Sequence, residues 1–494
     1  MDTSSETLET RRRYPWLVFA GFFAAGLLLR LIPWNHTIVG WDEWILSTIS
    51  SRWALVALPN GDLYDLIVPT YYSYPSAFFW LQGLAVYLFG PHPLAWRLVP
   101  VFGGALCVGL AYLLGREARD DWSGWTAGLL ALSSLYLAFH NTVTIDYVMA
   151  AAMLASLIFL LRTLRRPALG TLLASVFLAS LACFFKYHAV VIHALVCGAV
   201  IAMPTTRRLI AGKRFLAFAA VALALPFGLL AMEGLTWHFY GYGKTHLAEV
   251  FRVMTWTSYV PAFDGPAYVQ PAWWYYFGYC WVTLGPLVCV LCLAGIATAL
   301  WIPQDRIRVL VVILALYALW ASTASLKNAR YFIPAMFLAF VLAGVFVSAL
   351  KDNPRGRLLG VLLLGAAVVA SGVRTGFRVD DYLTASSHHE AVYVFINENT
   401  PKDAVVVTES ESFWRGNDVG VHPMKRGIVE AAIEDAFDMG GYFISHEMAY
   451  ELMKAGAIQP APDFLDERAR VLETWDLLLD LGEGNARVRV WRKP

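Results

Sequence analysis

The sequence predicts a polytopic α-helical membrane protein with a small α/β domain at its C-terminus. Of 494 residues, 58% are hydrophobic and only 15% charged, and the mean hydropathy is +0.54, which is outside the habit of soluble domains. Apolar runs of roughly 17–25 residues, long enough to cross a bilayer as helices, recur between Tyr14 and Val373. Charge then divides the chain. Residues 1–373 hold 25 Lys+Arg against 16 Asp+Glu, and residues 374–494 hold 13 against 21, so the net charge of +1 hides a basic apolar part and an acidic polar part. Such a split implies two domains in different solvents, with the divide at 373/374.

Arg11, Arg12 and Arg13 precede an apolar run, as in a signal peptide, but the run continues to about Pro33 without an A-x-A cleavage site. It is read as a retained first helix. A polar, aromatic segment follows. Ser76–Phe89 is apolar but short and interrupted by Gln82, so it is expected to lie at the interface or re-enter rather than cross. The other spans are Trp96–Leu114, Trp122–Phe139, Tyr147–Leu161, Leu169–Phe185, Ala189–Met203, Phe215–Gly234, Trp273–Leu300, Val309–Ala324, Tyr331–Leu350 and Leu358–Val373, making eleven.

Orientation follows from the cations. With the N-terminus in the cytoplasm, 17 basic residues fall on the inner side and 8 outside or at outer helix ends. Counting Ser76–Phe89 as a twelfth span scatters them. The positive-inside rule therefore places the C-terminus outside, in a multi-pass protein of the plasma (inner) membrane. The six cysteines lie in or beside apolar runs without metal-ligand spacing and read as packing residues. Beyond Val373, His388–Asn399 reads as a helix, Ala404–Thr408, Gly441–Ser445 and Arg487–Trp491 as strands, and the stretch near Glu447–Lys454 as a helix.

Gly40-Trp41-Asp42-Glu43-Trp44 sets two acids between tryptophans at the outer mouth of the first span. Carboxylates there are costly unless used, while the tryptophans suit the headgroup zone. Asp146 opens the fourth span on the same face, where it could also simply cap the helix. Arg30, Lys186, Lys327 and Arg330 lie near that face too. Singly they read as snorkelling anchors. Together they form a ring of cations around two acidic loops, which suits an anionic lipid phosphate.

These residues fall in a familiar order. Asp42-Glu43 follows span one, then Tyr72-x-x-Pro75-x-x-x-x-Trp80, Trp96-Arg97-Leu98-Val99-Pro100, Thr144-Ile145-Asp146, Phe185-Lys186 and Arg330-Tyr331-Phe332-Ile333-Pro334. The chain from about residue 14 to 350 resembles the GT-C glycosyltransferases, nearest the branch of protein O-mannosyltransferases and the lipid A aminoarabinose transferase. The resemblance implies inverting sugar transfer from a polyprenyl-phosphate donor on the outer face. Asp42 matches the family's catalytic Asp, with Glu43 beside it, and Asp146 matches the second-loop Asp. Lys186 and Arg330 match basic positions near the donor phosphate, and Arg30 is expected to join them. The family's Tyr-Glu-Lys-Pro-Pro reads here Tyr72-Ser73-Tyr74-Pro75-Ser76. Glu and Lys are lost, which puts a metal bound through that Glu in doubt; Tyr74 could still donate to phosphate.

The expected partners are the polyprenyl-phosphate-sugar donor, a lipid, glycan or protein acceptor, and membrane lipids, with no nucleic acid. No metal ligands are assigned, and a divalent ion stays possible as a cofactor. The competing reading is a transporter or flippase for a lipid-linked sugar, which calls for internal repeats, interrupted spans and polar groups at the midplane. No repeat is present, and the polar residues gather at one face.

Overall fold

The computed structural model describes residues 3–31, 49–61, 77–134, 145–224, 226–228, 231, 274–323, 329–408, 427–430, 436–446, 464–481 and 487–494. Its first part is a bundle of helices: α1 (Thr3–Leu31), α2 (Ala77–Phe89), α3 (Pro93–Ala118), α4 (Asp121–Ser133), α5 (Asp146–Arg165), α6 (Leu169–Phe185), α7 (Val190–Ala202), α8 (Arg214–Ala219), α9 (Tyr275–Leu284), α10 (Pro286–Trp301), α11 (Asp305–Thr323), α12 (Ile333–Leu350) and α13 (Pro354–Asn399). Among the described residues, α1, α3, α5, α11, α12 and the first half of α13 are long and apolar enough to cross a membrane. Shorter apolar helices include α2, α6, α10 and the stretch Tyr187–Ala202. The predicted spans fall on these helices as far as the described residues extend.

Helices α5 and α12 are the core staves. Met149, Ala150, Leu157, Leu160 and Leu161 on α5, and Ala335, Val341, Leu342 and Ala343 on α12, are all buried. Lipid-facing positions on α13, such as Leu358, Leu362, Val369 and Phe377, stay exposed, as expected of a helix whose second solvent is hydrocarbon. Helix α2 is apolar on two sides: Phe78, Phe79 and Val86 are buried, while Leu84, Leu88 and Phe89 are exposed.

Two departures from the sequence reading have clear causes. Span eight is broken. Gly285 adopts φ 91° and ψ 156°, a backbone region closed to other residues, and Pro286 starts α10 without an N–H to give back. Arg374 of α13 occupies the break, its Nη1 donating to the Val282 carbonyl at 2.6 Å. Gly285→Ala is expected to cost about 1–3 kcal/mol through that backbone alone, read as a lower midpoint of thermal unfolding in detergent. Gly365→Ala, inside the membrane half of α13 with nothing within 4 Å, should leave the midpoint unchanged or raise it.

The second departure concerns the end of the bundle. Span eleven and the helix expected at 388–399 are one continuous α13, which crosses 373/374 without leaving the helix. The Asn353 side chain accepts from Arg355 N–H at its start, and Pro354 takes the first turn. Midway, Thr375 Oγ1 donates to the Ser133 carbonyl at 2.7 Å, tying α13 to the end of α4.

At the bundle end where α3 finishes, Arg162 Nε meets Glu117 at 2.9 Å and Arg306 donates to the Glu117 carbonyl at 2.7 Å. Asp120 accepts from Lys351, from Ser348 Oγ and from the Ser123 N–H. Burial pushes the Asp120 carboxyl up, but these donors outweigh it and hold it below the usual carboxylate range. Its contribution to stability is therefore present at neutral pH and fades as acid protonates it.

The C-terminal part is a five-stranded sheet in the order β2-β1-β3-β5-β4, from β1 (Val405–Thr408), β2 (Gly427–Glu430), β3 (Tyr442–His446), β4 (Asp476–Leu481) and β5 (Val488–Arg492). β1 runs parallel to β2 and β3; β5 is antiparallel to β3 and β4. Val392 and Ile396 at the end of α13 pack with Val406, Ile444, Val488 and Val490. The opposite face packs Val407, Phe443 and Trp491 against Phe437 and Val471, the latter on α14 (Phe464–Thr474). β2, β4 and α14 are additions to the sequence reading. The helix expected near Glu447–Lys454 lies outside the described residues.

Candidate active site

The N-terminus of α5 and the α6–α7 junction meet at the end of the bundle opposite Glu117. Lys186 has extended backbone, φ −155° and ψ 129°, which ends α6 before the 3₁₀ turn Tyr187–Ala189. This breaks the helical register, and the Lys186 side chain crosses to Asp146, Nζ to Oδ1 at 2.6 Å. Both side chains are buried, at 7% and 1% exposure. The capping role open to Asp146 is not the one it takes: the N-cap position belongs to Ile145, with no side-chain cap, and Asp146 is the first helical residue. There its charge also suits the positive helix end.

Aromatic rings from three other elements close around this pair. Lys186 Nζ sits 4.6 Å from the centroid of the Tyr331 ring. His188 stacks on Trp320 at 5.9 Å and meets Tyr331 edge-on at 5.0 Å. The Tyr317 hydroxyl donates to the Tyr331 carbonyl at 2.7 Å, joining α11 to the turn Ala329–Phe332. On the far side of that turn, Phe332 stacks on Tyr276 of α9 at 4.8 Å. The cation therefore lies in low dielectric, held by a carboxylate and a π face.

Arg30, one residue from the end of α1, is buried as well, its guanidinium 4.4 Å over the ring of Tyr147, the neighbour of Asp146. Arg97, in the first turns of α3, is 1% exposed, and the adjacent Trp96 donates Nε1–H to Ser51 Oγ at 2.9 Å. At this end of the bundle, among the described residues, three buried cations (Arg30, Arg97 and Lys186) accompany one buried carboxylate, Asp146.

The structure thus brings together Asp146, Lys186 and Arg30. Arg330 belongs by its backbone to the turn Ala329–Phe332, beside Tyr331; its side chain is outside the description. Asp42, Glu43 and Tyr74 lie outside the described residues. Among those described, no three His, Cys, Asp or Glu side chains converge to hold a metal. His188, Tyr331 and Tyr317 were not singled out from sequence. For His188 and Tyr331 the signal available was adjacency to Lys186 and Arg330 in Lys186-Tyr187-His188 and Arg330-Tyr331; Tyr317, within an apolar span, carried none.

Residues 73–230 match the family model of dolichyl-phosphate-mannose-protein mannosyltransferases. The fold is similar to that of ArnT from Cupriavidus metallidurans bound to undecaprenyl phosphate. The TM-score is 0.59 at 16% identity, over 96% of this chain and 97% of that one. It is also similar to the oligosaccharyltransferase AglB from Archaeoglobus fulgidus, in complex with an inhibitory peptide and a dolichol-phosphate. There the TM-score is 0.55 at 12% identity, over 97% of this chain and 74% of that one. Both are GT-C glycosyltransferases.

This chain has the GT-C fold.

No curated protein sequence matches it. Within the GT-C bundle, the family-model match runs from the segment before α2 to just beyond α8. It therefore takes in Asp146 and Lys186 and stops short of Arg330.

Proposed function

We propose that this GT-C protein transfers a sugar from a polyprenyl-phosphate-linked donor to a hydroxyl acceptor, with inversion, on the outer face of the plasma membrane. The observation that carries the reading is that the GT-C bundle gathers Arg30, Asp146 and Lys186, three of the residues expected at the donor site, at one end where α5 begins and α1 and α6 end. Cations placed there suit a lipid phosphate at the bilayer surface. Undecaprenyl phosphate in the ArnT structure and dolichol-phosphate in the AglB structure are ligands of that kind.

In this reaction Asp42 takes the acceptor's proton as it attacks the anomeric carbon, and Glu43 orients Asp42 or the acceptor. The leaving group is already a phosphate anion, so it needs no general acid, only cations to steady its growing charge. Lys186, Arg330 and Arg30, with the Tyr74 hydroxyl, supply that cradle. Asp146 holds Lys186 in place through their 2.6 Å contact. An interrupted span, such as the one at Gly285, is also a transporter feature. Here the interruption is filled by Arg374 rather than by a midplane site.

Mass spectrometry of envelope lipids, glycans and proteins from cells with and without the gene tests the activity. One sugar modification should disappear, and its polyprenyl-phosphate donor should accumulate. An unchanged profile, with both intact, removes the proposal. Sidedness has its own test. Ser387→Cys should react with an impermeant thiol reagent added outside intact cells and Pro354→Cys should not; the reverse pattern would put both acidic loops in the cytoplasm.

A further inference from the structure

Arg30 and Tyr147 share a feature that packing alone does not explain. Both are buried, at 5% and 1% exposure. Among the described residues, neither Arg30 Nε nor the Tyr147 hydroxyl has a hydrogen-bond partner. A buried donor left unmade costs its full desolvation, and a charged one costs more. Here the two side chains lie against each other, the guanidinium 4.4 Å over the tyrosine ring, and even where the guanidinium reaches the hydroxyl oxygen, the Arg30 Nε–H and the Tyr147 O–H are left without an acceptor.

The backbone is shaped to accept this arrangement. A Cβ on Gly104 of α3 would lie 2.1 Å from Arg30 Nη1 and 2.2 Å from Cζ. The guanidinium therefore fills the space that any other residue at 104 would occupy. Among the described residues around the guanidinium, Gly104 has no side chain, Tyr147 presents its ring, the Cys107 thiol is turned to the Tyr147 carbonyl at 3.3 Å, and the adjacent Asp146 carboxylate is engaged by Lys186. Arg30 is the second-last residue of α1 and Tyr147 the second of α5, so the pair sits at the rim of the bundle. Tyr147 directly follows Asp146, which holds Lys186.

We propose that Arg30 and the Tyr147 hydroxyl together bind the phosphate of the lipid-linked donor, and that Gly104 is the positioning residue that seats the guanidinium. The inference rests on the donor reading above and adds two residues to it. In this arrangement the phosphate oxygens accept from Arg30 and from the Tyr147 O–H, so the Nε–H and the O–H both gain an acceptor when the lipid arrives. Lys186, one residue from Tyr147 through Asp146, meets the same anion from the other side.

The test uses purified full-length protein in phosphatidylcholine nanodiscs, with undecaprenyl phosphate as the probe. Tyr147→Phe keeps the ring under Arg30 and removes only the hydroxyl. It is expected to weaken undecaprenyl phosphate binding about 10-fold or more, the weight of a hydrogen bond to a charged group. The ligand-free protein should unfold at the same temperature or higher, because an unpartnered buried hydroxyl has gone. Gly104→Ala should weaken binding comparably in the wild-type background and add nothing in an Arg30→Gln background.

Wild-type affinity in Tyr147→Phe overturns the inference even if Gly104→Ala fails to fold. Equal retention of phosphatidylglycerol and undecaprenyl phosphate assigns the socket to ordinary headgroups and overturns it too. Competition by millimolar inorganic phosphate that Tyr147→Phe abolishes supports it. The donor reading fails separately, when wild-type protein binds no undecaprenyl phosphate at all. If wild type binds and Lys186→Gln weakens binding while Tyr147→Phe does not, that reading stands and only this inference falls.

Discussion

Protein carrying Asp42→Asn is expected to bind the proposed prenyl-phosphate donor nearly as wild type does and to transfer sugar roughly 10²–10⁴-fold more slowly, the usual worth of a general base. The substitution keeps the side chain's shape and removes its ability to accept the acceptor's proton. Binding should survive because the cations proposed to hold the phosphate are elsewhere, on α1, at Lys186 after α6 and in the turn before α12. The measurement is a single-turnover rate set against donor affinity on the same purified sample. A variant retaining more than about a tenth of the wild-type rate rules Asp42 out as the base. Glu43→Gln provides the comparison, with a smaller loss expected of a residue that orients rather than abstracts.

Asp146→Asn is expected to damage the fold as well as the chemistry. It leaves the Lys186 ammonium buried against Tyr331 without the carboxylate 2.6 Å away, and breaking such a pair from one side costs about 3–5 kcal/mol. Lys186→Gln removes the cation and should instead weaken donor binding and slow the chemical step together, because phosphate charge grows as the glycosidic bond breaks. The double variant Asp146→Asn, Lys186→Gln removes both charges at once. Its thermal midpoint should recover most of what Asp146→Asn alone loses, while transfer stays as low as in Lys186→Gln. If the double variant is as active as wild type, the pair is only a helix-to-helix tie. If Asp146→Asn unfolds no earlier than wild type, the buried pair carries no fold stability.

The bundle was legible because a bilayer imposes one rule on every span, and length with apolarity is enough to apply it. The same rule hid the break at Gly285. Residues on both sides are apolar, so hydropathy runs through a position where the backbone cannot. It also hid the second half of α13, since the apolar signal stops near Phe377 while the helix continues to Asn399. In the sheet, β4 reads Asp-Leu-Leu-Leu-Asp-Leu, which lacks the β-branched residues that announce a strand and forms by pairing with β5. Asp146 and Lys186 were both visible as candidates. Their pairing was not, because 40 residues separate them and only the antiparallel packing of α5 and α6 brings them together. Tyr331, His188 and Trp320 escaped for the same reason, as aromatic residues in a chain already rich in them.

The uninterrupted α13 has a mechanical consequence. At 46 residues it measures about 70 Å, more than twice the ~30 Å of a hydrocarbon core, so one stiff rod serves both as membrane stave and as mast for the sheet. A hinge needs a glycine, a proline or a loop, and none of these interrupts the rod between Phe377 and Asn399. Val392 and Ile396 clamp its upper end into the sheet, and Arg374 grips the Val282 carbonyl on α9 lower down. Helix α9 in turn bears on Phe332 through Tyr276, in the turn that carries Arg330. Torque applied to the sheet is thus carried along one helix to Arg374 and through α9 to the backbone of the turn that bears Arg330.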